Sequence, residues 1–230
     1  VAPVNSVSFA PLRVGFHAGT YDAFNSGQPA GDAIISVAEG GTGSAWFPAF
    51  AADDPTAVLG TVGAGPLRPG ESAVATFRVD TRANPFFTFA NMVLPSNDLF
   101  LGNDSPTAFR LFAPDGTLAV ATIRQRAGQI WDAGSELPIP ANAAFVVGGD
   151  NDLRESQGGV VAFDRSELAA FDGRATGGGY VYDDARLAGD PAVFEIGFQA
   201  AVVPAPPAAV LGLVAVAGLA ARRRLAATAS

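Results

Sequence analysis

Residues 72–94 read SAVATFRVDTRANPFFTFANMVL, and two strands joined by a turn are the simplest account of that run. Over Ser72–Asp80, Ala73, Ala75, Phe77 and Val79 alternate with Val74, Thr76, Arg78 and Asp80, the period of two that sets one face of a strand against a core. Ala83-Asn84-Pro85 supplies turn chemistry, and Phe86–Leu94 resumes as an apolar run of strand length, which predicts a strand pair. Similar segments recur on both sides: Val4–Phe9, Arg13–Phe16, Ala33–Val37 and Val58–Val62 before it, and Phe109–Phe112, Leu118–Arg124, Ala143–Val147, Val160–Phe163 and Val193–Ala200 after it. Pro114-Asp115-Gly116 has hairpin-turn chemistry between two of them. The helical signal is confined to Glu167–Phe171, with Ser166 as its cap and Asp172-Gly173 as its stop. No alternation of strand and helix suggests a parallel sheet, and Gly40-Gly41-Thr42-Gly43 and Gly177-Gly178-Gly179 lack the spacing of a phosphate-binding loop. The pattern predicts an all-β antiparallel domain over residues 1–200.

Composition narrows the function. Of the 230 residues 16% are charged and 49% hydrophobic, with 17 Phe, a balance that suits sheets better than charged amphipathic helices. The 14 basic residues are all Arg, and 22 acidic residues leave a net charge of −8, which argues against a nucleic-acid partner. Without cysteine there is no disulfide framework, zinc ribbon or thiol catalysis, and one histidine, His17, excludes a multi-histidine metal site. No G-x-S-x-G elbow gives that histidine a serine partner.

The charge is unevenly placed. Arg222, Arg223 and Arg224 cluster near the end, so the sequence before them is more acidic than the whole. From Val202 the chain runs Val-Val-Pro-Ala-Pro-Pro, then Ala208–Ala221 without a charge, then the three arginines. The uncharged run spans about 21 Å as a helix at about 1.5 Å per residue, short of a hydrocarbon core of about 30 Å, and the arginines hold their end on the cytoplasmic side. This order resembles the PEP-CTERM protein-sorting signal of Gram-negative bacteria. The motif is matched by Val203, Pro204 and Pro206, with Ala205 where Glu is usual. The resemblance implies a 201–230 sorting tail with a hydrophobic helix, export, transient inner-membrane anchoring, and cleavage near Pro204 by an exosortase-type transpeptidase, leaving the body at the cell surface or outside the cell.

Two segments of the body are dense in acidic, turn-forming residues: Met92–Asp104 and Ile130–Glu136. Each follows an apolar stretch, where a strand leaves its sheet. Asp132 and Glu136 flank Ala133-Gly134-Ser135, a small-residue turn that can bring both carboxylates to one point, and Asp98 joins them if its loop lies alongside. Like charges so close need a cation, and oxygen-only ligands suit calcium better than magnesium, which keeps more of its waters. Asp and Gly also mark ordinary solvated turns.

The same segments resemble the signature of the spondin domain, found in the extracellular protein F-spondin and in bacterial exported proteins. Its first motif is matched by Met92, Val93, Pro95, Ser96, Asp98, Phe100 and Gly102. Its second is matched by Trp131, Asp132, Ala133, Gly134 and Glu136, with Ser135 for Thr and Glu136 where animal members usually carry Asp. Val14-Gly15-Phe16-His17-Ala18-Gly19 also looks like the start of bacterial members. The resemblance implies a C2-like antiparallel β-sandwich binding one calcium ion through Asp98, Asp132 and Glu136. It implies a non-enzymatic function in contact with extracellular or surface matrix material, glycan or protein. An acidic body disfavours acidic glycans.

Other residues carry weaker alternatives. His17 near Asp22 suggests a base and its orienter, but without a nucleophile the structural role is preferred. Trp46-Phe47 and Trp131 suit core packing better than sugar platforms. Asp150-Asn151-Asp152 and Asp183-Asp184 are read as turns rather than a second cation site. Asn103-Asp104-Ser105 is formally a glycosylation sequon. The rival function is a metal-dependent hydrolase acting on surface polysaccharide, for which no general base or activated nucleophile can be assembled.

Overall fold

The computed structural model describes residues 1–201. The expected tail helix and the sorting-motif residues Val203, Pro204, Pro206, Arg222, Arg223 and Arg224 lie outside them. Among the described residues no helix is long and apolar enough to cross a membrane. The strands in chain order are β1 (Ser8–Phe9), β2 (Leu12–His17), β3 (Val58–Val62), β4 (Phe86–Leu94), β5 (Leu99–Gly102), β6 (Thr122–Arg126), β7 (Trp131–Asp132), β8 (Ala162–Phe163) and β9 (Ala192–Gly197). Two short helices, α1 (Asp32–Ala38) and α2 (Trp46–Asp53), fall between β2 and β3, and 3-10 turns occupy Ala127–Gln129, Ser166–Phe171 and Asp184–Leu187.

All the strand pairings are antiparallel, as the alternation predicted. The larger sheet runs β3-β2-β4-β5-β7-β8, with β1 also on β4, and the smaller is β6-β9. β4 is the axis of the larger sheet and is buried along nearly all its length, as its run FFTFANMVL, apolar but for Thr88 and Asn91, suits. Phe87, Phe89 and Val93 enter the main core with Phe9, Val14 and Phe16, and the smaller sheet adds Ile123, Val193 and Phe194 to the same cluster. Phe9 and Phe194 meet there with ring centroids 4.8 Å apart. The alternate residue Ala90 joins Ile34, Val37 and Ala38 of α1 and Trp46 and Phe50 of α2 in a second cluster.

Four expected strands differ. Ala33–Val37 lies in helix α1, where Ile34, Val37 and Ala38 fall at helical spacing on one buried face. Ser72–Asp80 is not a strand and does not pair with Phe86–Leu94, whose neighbours are β1, β2 and β5. Among the described residues, none of 72–79 makes a backbone-to-backbone hydrogen bond. The alternation still expresses itself: Ala73, Phe77 and Val79 are half-buried while their neighbours are exposed. Phe77 leans on Phe16 at 5.3 Å between centroids, and the segment roofs an apolar cavity of about 230 Å³ over Leu12, Phe16 and Phe87. Phe109–Phe112 and Ala143–Val147 are reduced to isolated bridges, Phe86 to Arg110, Phe112 to Leu118, Ser96 to Ala144 and Val146 to Thr176.

Candidate metal centre

The sheet topology explains why distant acidic residues share one end of the molecule. β5 runs antiparallel to β7 with Leu99 opposite Asp132, so Asp98, just before β5, stands beside the residues that follow β7. β7 in turn pairs with β8, Asp132 opposite Ala162, and the chain leaving β8 reaches Asp164 and the 3-10 turn that carries Glu167.

Asp98 is fully buried and its Oδ2 accepts from the backbone N–H of Ser135 at 2.7 Å, the Ser135 hydroxyl at 3.1 Å and the N–H of Glu136 at 2.9 Å. The Ala133 N–H donates to the Asp98 carbonyl at 3.3 Å, so the loop after β7 wraps the Asp98 backbone and side chain together. Asp132 closes the same loop by accepting from the Gly134 N–H. Gly134 has φ +65°, and a Cβ there would lie 2.6 Å from the Val160 nitrogen. The small-residue turn is thus required by backbone conformation and by space.

Glu136 is 1% exposed and its Oε1 accepts from Asn97 Nδ2 at 2.9 Å. The backbone N–H of Asn97 donates to Glu167 Oε1 at 3.1 Å. Asp98, Asp132 and Glu136, the three carboxylates singled out from sequence, are therefore brought to one end of the sheet, and Asn97 and Glu167 belong with them. Glu167 was read only as part of a helix. The signal for it was its position next to Leu168 and Phe171, the apolar face of that turn, where an acid is out of place. Ser166 does not cap the turn: the N-cap position is Arg165, without a side-chain cap, and the Ser166 N–H donates to Asp164 Oδ1 at 2.7 Å.

Burial dominates the electrostatics of these carboxylates, and Arg154 opposes it only at Glu136. Burial, with the charge of Asp98 next, pushes Asp132 up to about 6. Burial pushes Glu136 up to about 7, with Glu39 adding to it. Glu167 is driven up to about 9 by burial, then by Asp98, Asp132 and Glu136. Asp98 is raised by burial despite its donors from Glu136 and Ser135. Asp98 Oδ1, Glu136 Oε2 and Asn97 Oδ1 are buried with no hydrogen-bond partner. Among the described residues, however, no group of three or more His, Cys, Asp or Glu side chains is arranged to hold a metal ion. Carboxylate and amide oxygens are of the donor type that hard, oxygen-seeking cations take.

A surface cleft of about 410 Å³ reaches this end of the sheet, lined by Glu39, Ser135, Glu136, Arg154 and Glu155 among others. Arg154 pairs with Glu39 across it at 2.7 Å.

The remaining candidates take structural roles. His17 is fully buried, accepts at Nδ1 from the Gly19 N–H at 3.1 Å and meets the Thr88 hydroxyl through Nε2 at 3.0 Å. Burial drives its pKa down to about 4, and Asp22 bonds Asn25 instead. Trp46 and Trp131 are core residues, the Trp131 indole donating to the Gly102 carbonyl at 3.2 Å. Asp183 accepts from the Ala185 N–H and Asp150 from the Asp152 N–H, as turn residues do. Asn103 spends its amide on Phe89, Thr88 and Ser105 and is buried.

Compared with known proteins, the chain matches no protein-family model and no curated protein.

Proposed function

We propose that this chain is an exported, non-enzymatic domain of spondin type, a C2-like β-sandwich that binds one calcium ion through Asp98, Asp132 and Glu136 and contacts extracellular or surface matrix material. The observation that carries the proposal is the set of buried oxygens without a donor, Asp98 Oδ1, Glu136 Oε2 and Asn97 Oδ1, amid four carboxylates of raised pKa. An unpaired buried polar atom costs about 1–3 kcal/mol, more when charged, and a bound cation removes that cost for several acceptors at once. Calcium takes carboxylate, amide-carbonyl and water oxygens in a flexible shell, which these residues offer. The acidic body favours neutral glycan or protein over acidic glycan as the matrix contact. The sorting reading rests on the order of the tail alone: Val203, Pro204 and Pro206, an apolar stretch, then three arginines for an exosortase-type transpeptidase.

Calorimetric titration of calcium into the full chain tests the proposal. One equivalent is expected to bind and to raise the melting temperature. Asp98→Asn, which keeps an acceptor for the Ser135 and Glu136 donors, is expected to remain folded and to lose at least tenfold in affinity. Absence of binding by the unaltered chain would overturn the calcium reading.

A further inference from the structure

The two sheets and the 72–79 segment enclose an apolar cavity of about 230 Å³. Its lining ranges from Val74, 91% exposed, to Phe87 and Val193, each 1% exposed, so it opens at the surface and reaches into the main core. Side chains that border such a space lack contacts on one side, and an apolar guest supplies them. A cavity of about 150 Å³ is enough to take up a benzene ring, whereas sites for drug-sized ligands begin near about 300 Å³, so the guest that fits here is a small one. Among the described residues, none of 72–79 makes a backbone-to-backbone hydrogen bond, and the roof can lift to admit a guest without breaking a ladder.

The charges at the rim select the guest. Arg68, Glu71 and Glu195 all border the cavity. Glu195 is paired with Arg124 at 2.6 Å, and Glu71 Oε2 accepts from the backbone N–H of Arg68 at 2.9 Å. The Arg68 side chain is exposed and, among the described residues, takes part in no hydrogen bond or ion pair. Both carboxylates are engaged, so the uncommitted side-chain charge at the rim is positive. A guanidinium presents a planar fork of donors that matches a carboxylate on two oxygens. The net negative charge of the chain does little to oppose this, because exposed charges are screened beyond about 8 Å at physiological ionic strength.

We propose that this cavity is a binding site for a medium-chain carboxylic acid, whose apolar chain lies between β2 and β4 on one side and β9 on the other, under the 72–77 roof, and whose carboxylate meets the Arg68 guanidinium. Apolar walls supply the affinity and one placed charge supplies the orientation, the usual division of labour in a small-molecule site. The site is separate from the acidic end of the sheet and does not rest on the calcium reading.

Calorimetric titration of octanoate into the full chain in calcium-free buffer, with octan-1-ol beside it, tests the proposal. One equivalent of octanoate is expected to bind, and octan-1-ol to bind at least tenfold more weakly. Arg68→Gln is expected to lose at least tenfold in octanoate affinity at an unchanged melting temperature, while its affinity for octan-1-ol holds. Ala73→Phe, which sets a ring into the cavity from the roof, is expected to lose both ligands. Arg78→Gln, on the same segment but not bordering the cavity, is expected to change neither. No binding of octanoate by the unaltered chain would overturn the inference, as would equal affinity for the acid and the alcohol, or octanoate binding that Arg68→Gln or Ala73→Phe leaves unchanged. Should Ala73→Phe not fold, Ala73→Leu serves instead: weakened binding of both ligands supports the assignment, and unchanged binding overturns it.

Discussion

Asp98 divides its two carboxylate oxygens between two tasks. Oδ2 takes three donors and fixes the loop after β7, while Oδ1 takes none. A second residue poses a sharper question of the same kind. Asn91, on the same face of β4 as Phe89 and Val93, is fully buried, and neither its amide nitrogen nor its oxygen has a partner. Nothing in the structure explains its choice over an apolar residue. Asn91→Leu, of the same branched shape though larger, is expected to stabilise the fold by about 1–3 kcal/mol, read as a later midpoint in chemical denaturation. A loss of stability would show that the amide is paired in solution. Asp132 and Glu136 were legible from sequence because they flank one small-residue turn, whereas Asp98 joined them only on the condition that its loop lay alongside, which the pairing of β5 with β7 meets. Asn97 and Glu167 were not legible, because what marks them is a hydrogen bond closed only after β5, β7 and β8 have paired.

At the scale of elements, legibility followed how much of the burial pattern was local. β4 and β9 read correctly because an apolar run or an alternation suffices for a strand that a neighbour completes. α1 misread because AIISV is too short for its period to be decided; a second layer of helix over Ala90 settles it. Ser72–Asp80 has the pattern of a strand without a ladder, since half-burial against a cavity rim imposes the same alternation as a sheet face. The turn Ala133–Ser135 is the element on which the site depends most. Gly134→Ala would force a side chain onto the backbone of Gly159 and Val160 at positive φ. It is expected to cost more than about 1 kcal/mol and to weaken calcium binding with it, because Asp132 and Glu136 are held by that turn. Denaturation midpoints and calorimetry check both.

For the whole molecule, the acidic end sets the dependence of stability on pH. Glu136 and Glu167 titrate near 7 and 9 in the folded protein, well above the ordinary carboxylate value. A group raised in this way contributes stability that is complete below its unfolded pKa and is lost as pH rises through the folded one. The calcium-free protein is therefore expected to lose stability from the ordinary carboxylate range, about pH 4.5, up to about pH 9, most steeply below pH 7, where Asp132 and Glu136 contribute beside Glu167, and through Glu167 alone above it. His17, lowered to about 4, acts in the opposite sense between about pH 4 and its ordinary value of 6.5 and adds no slope above it. Calcium is expected to flatten the profile, and Glu167→Gln to remove its upper half. Denaturation curves at intervals across the window measure it.

The roof over the apolar cavity has a consequence for how the chain meets a protease. A protease threads a substrate through its cleft as a single strand stripped of neighbours, and residues 72–79 already stand apart from any ladder. Arg78 lies exposed within that stretch, so trypsin should sever the native chain there without first unfolding it. The two pieces would stay married, since β2 and β3 upstream of the cut interleave with β4 downstream of it, and only a denaturant would divorce them.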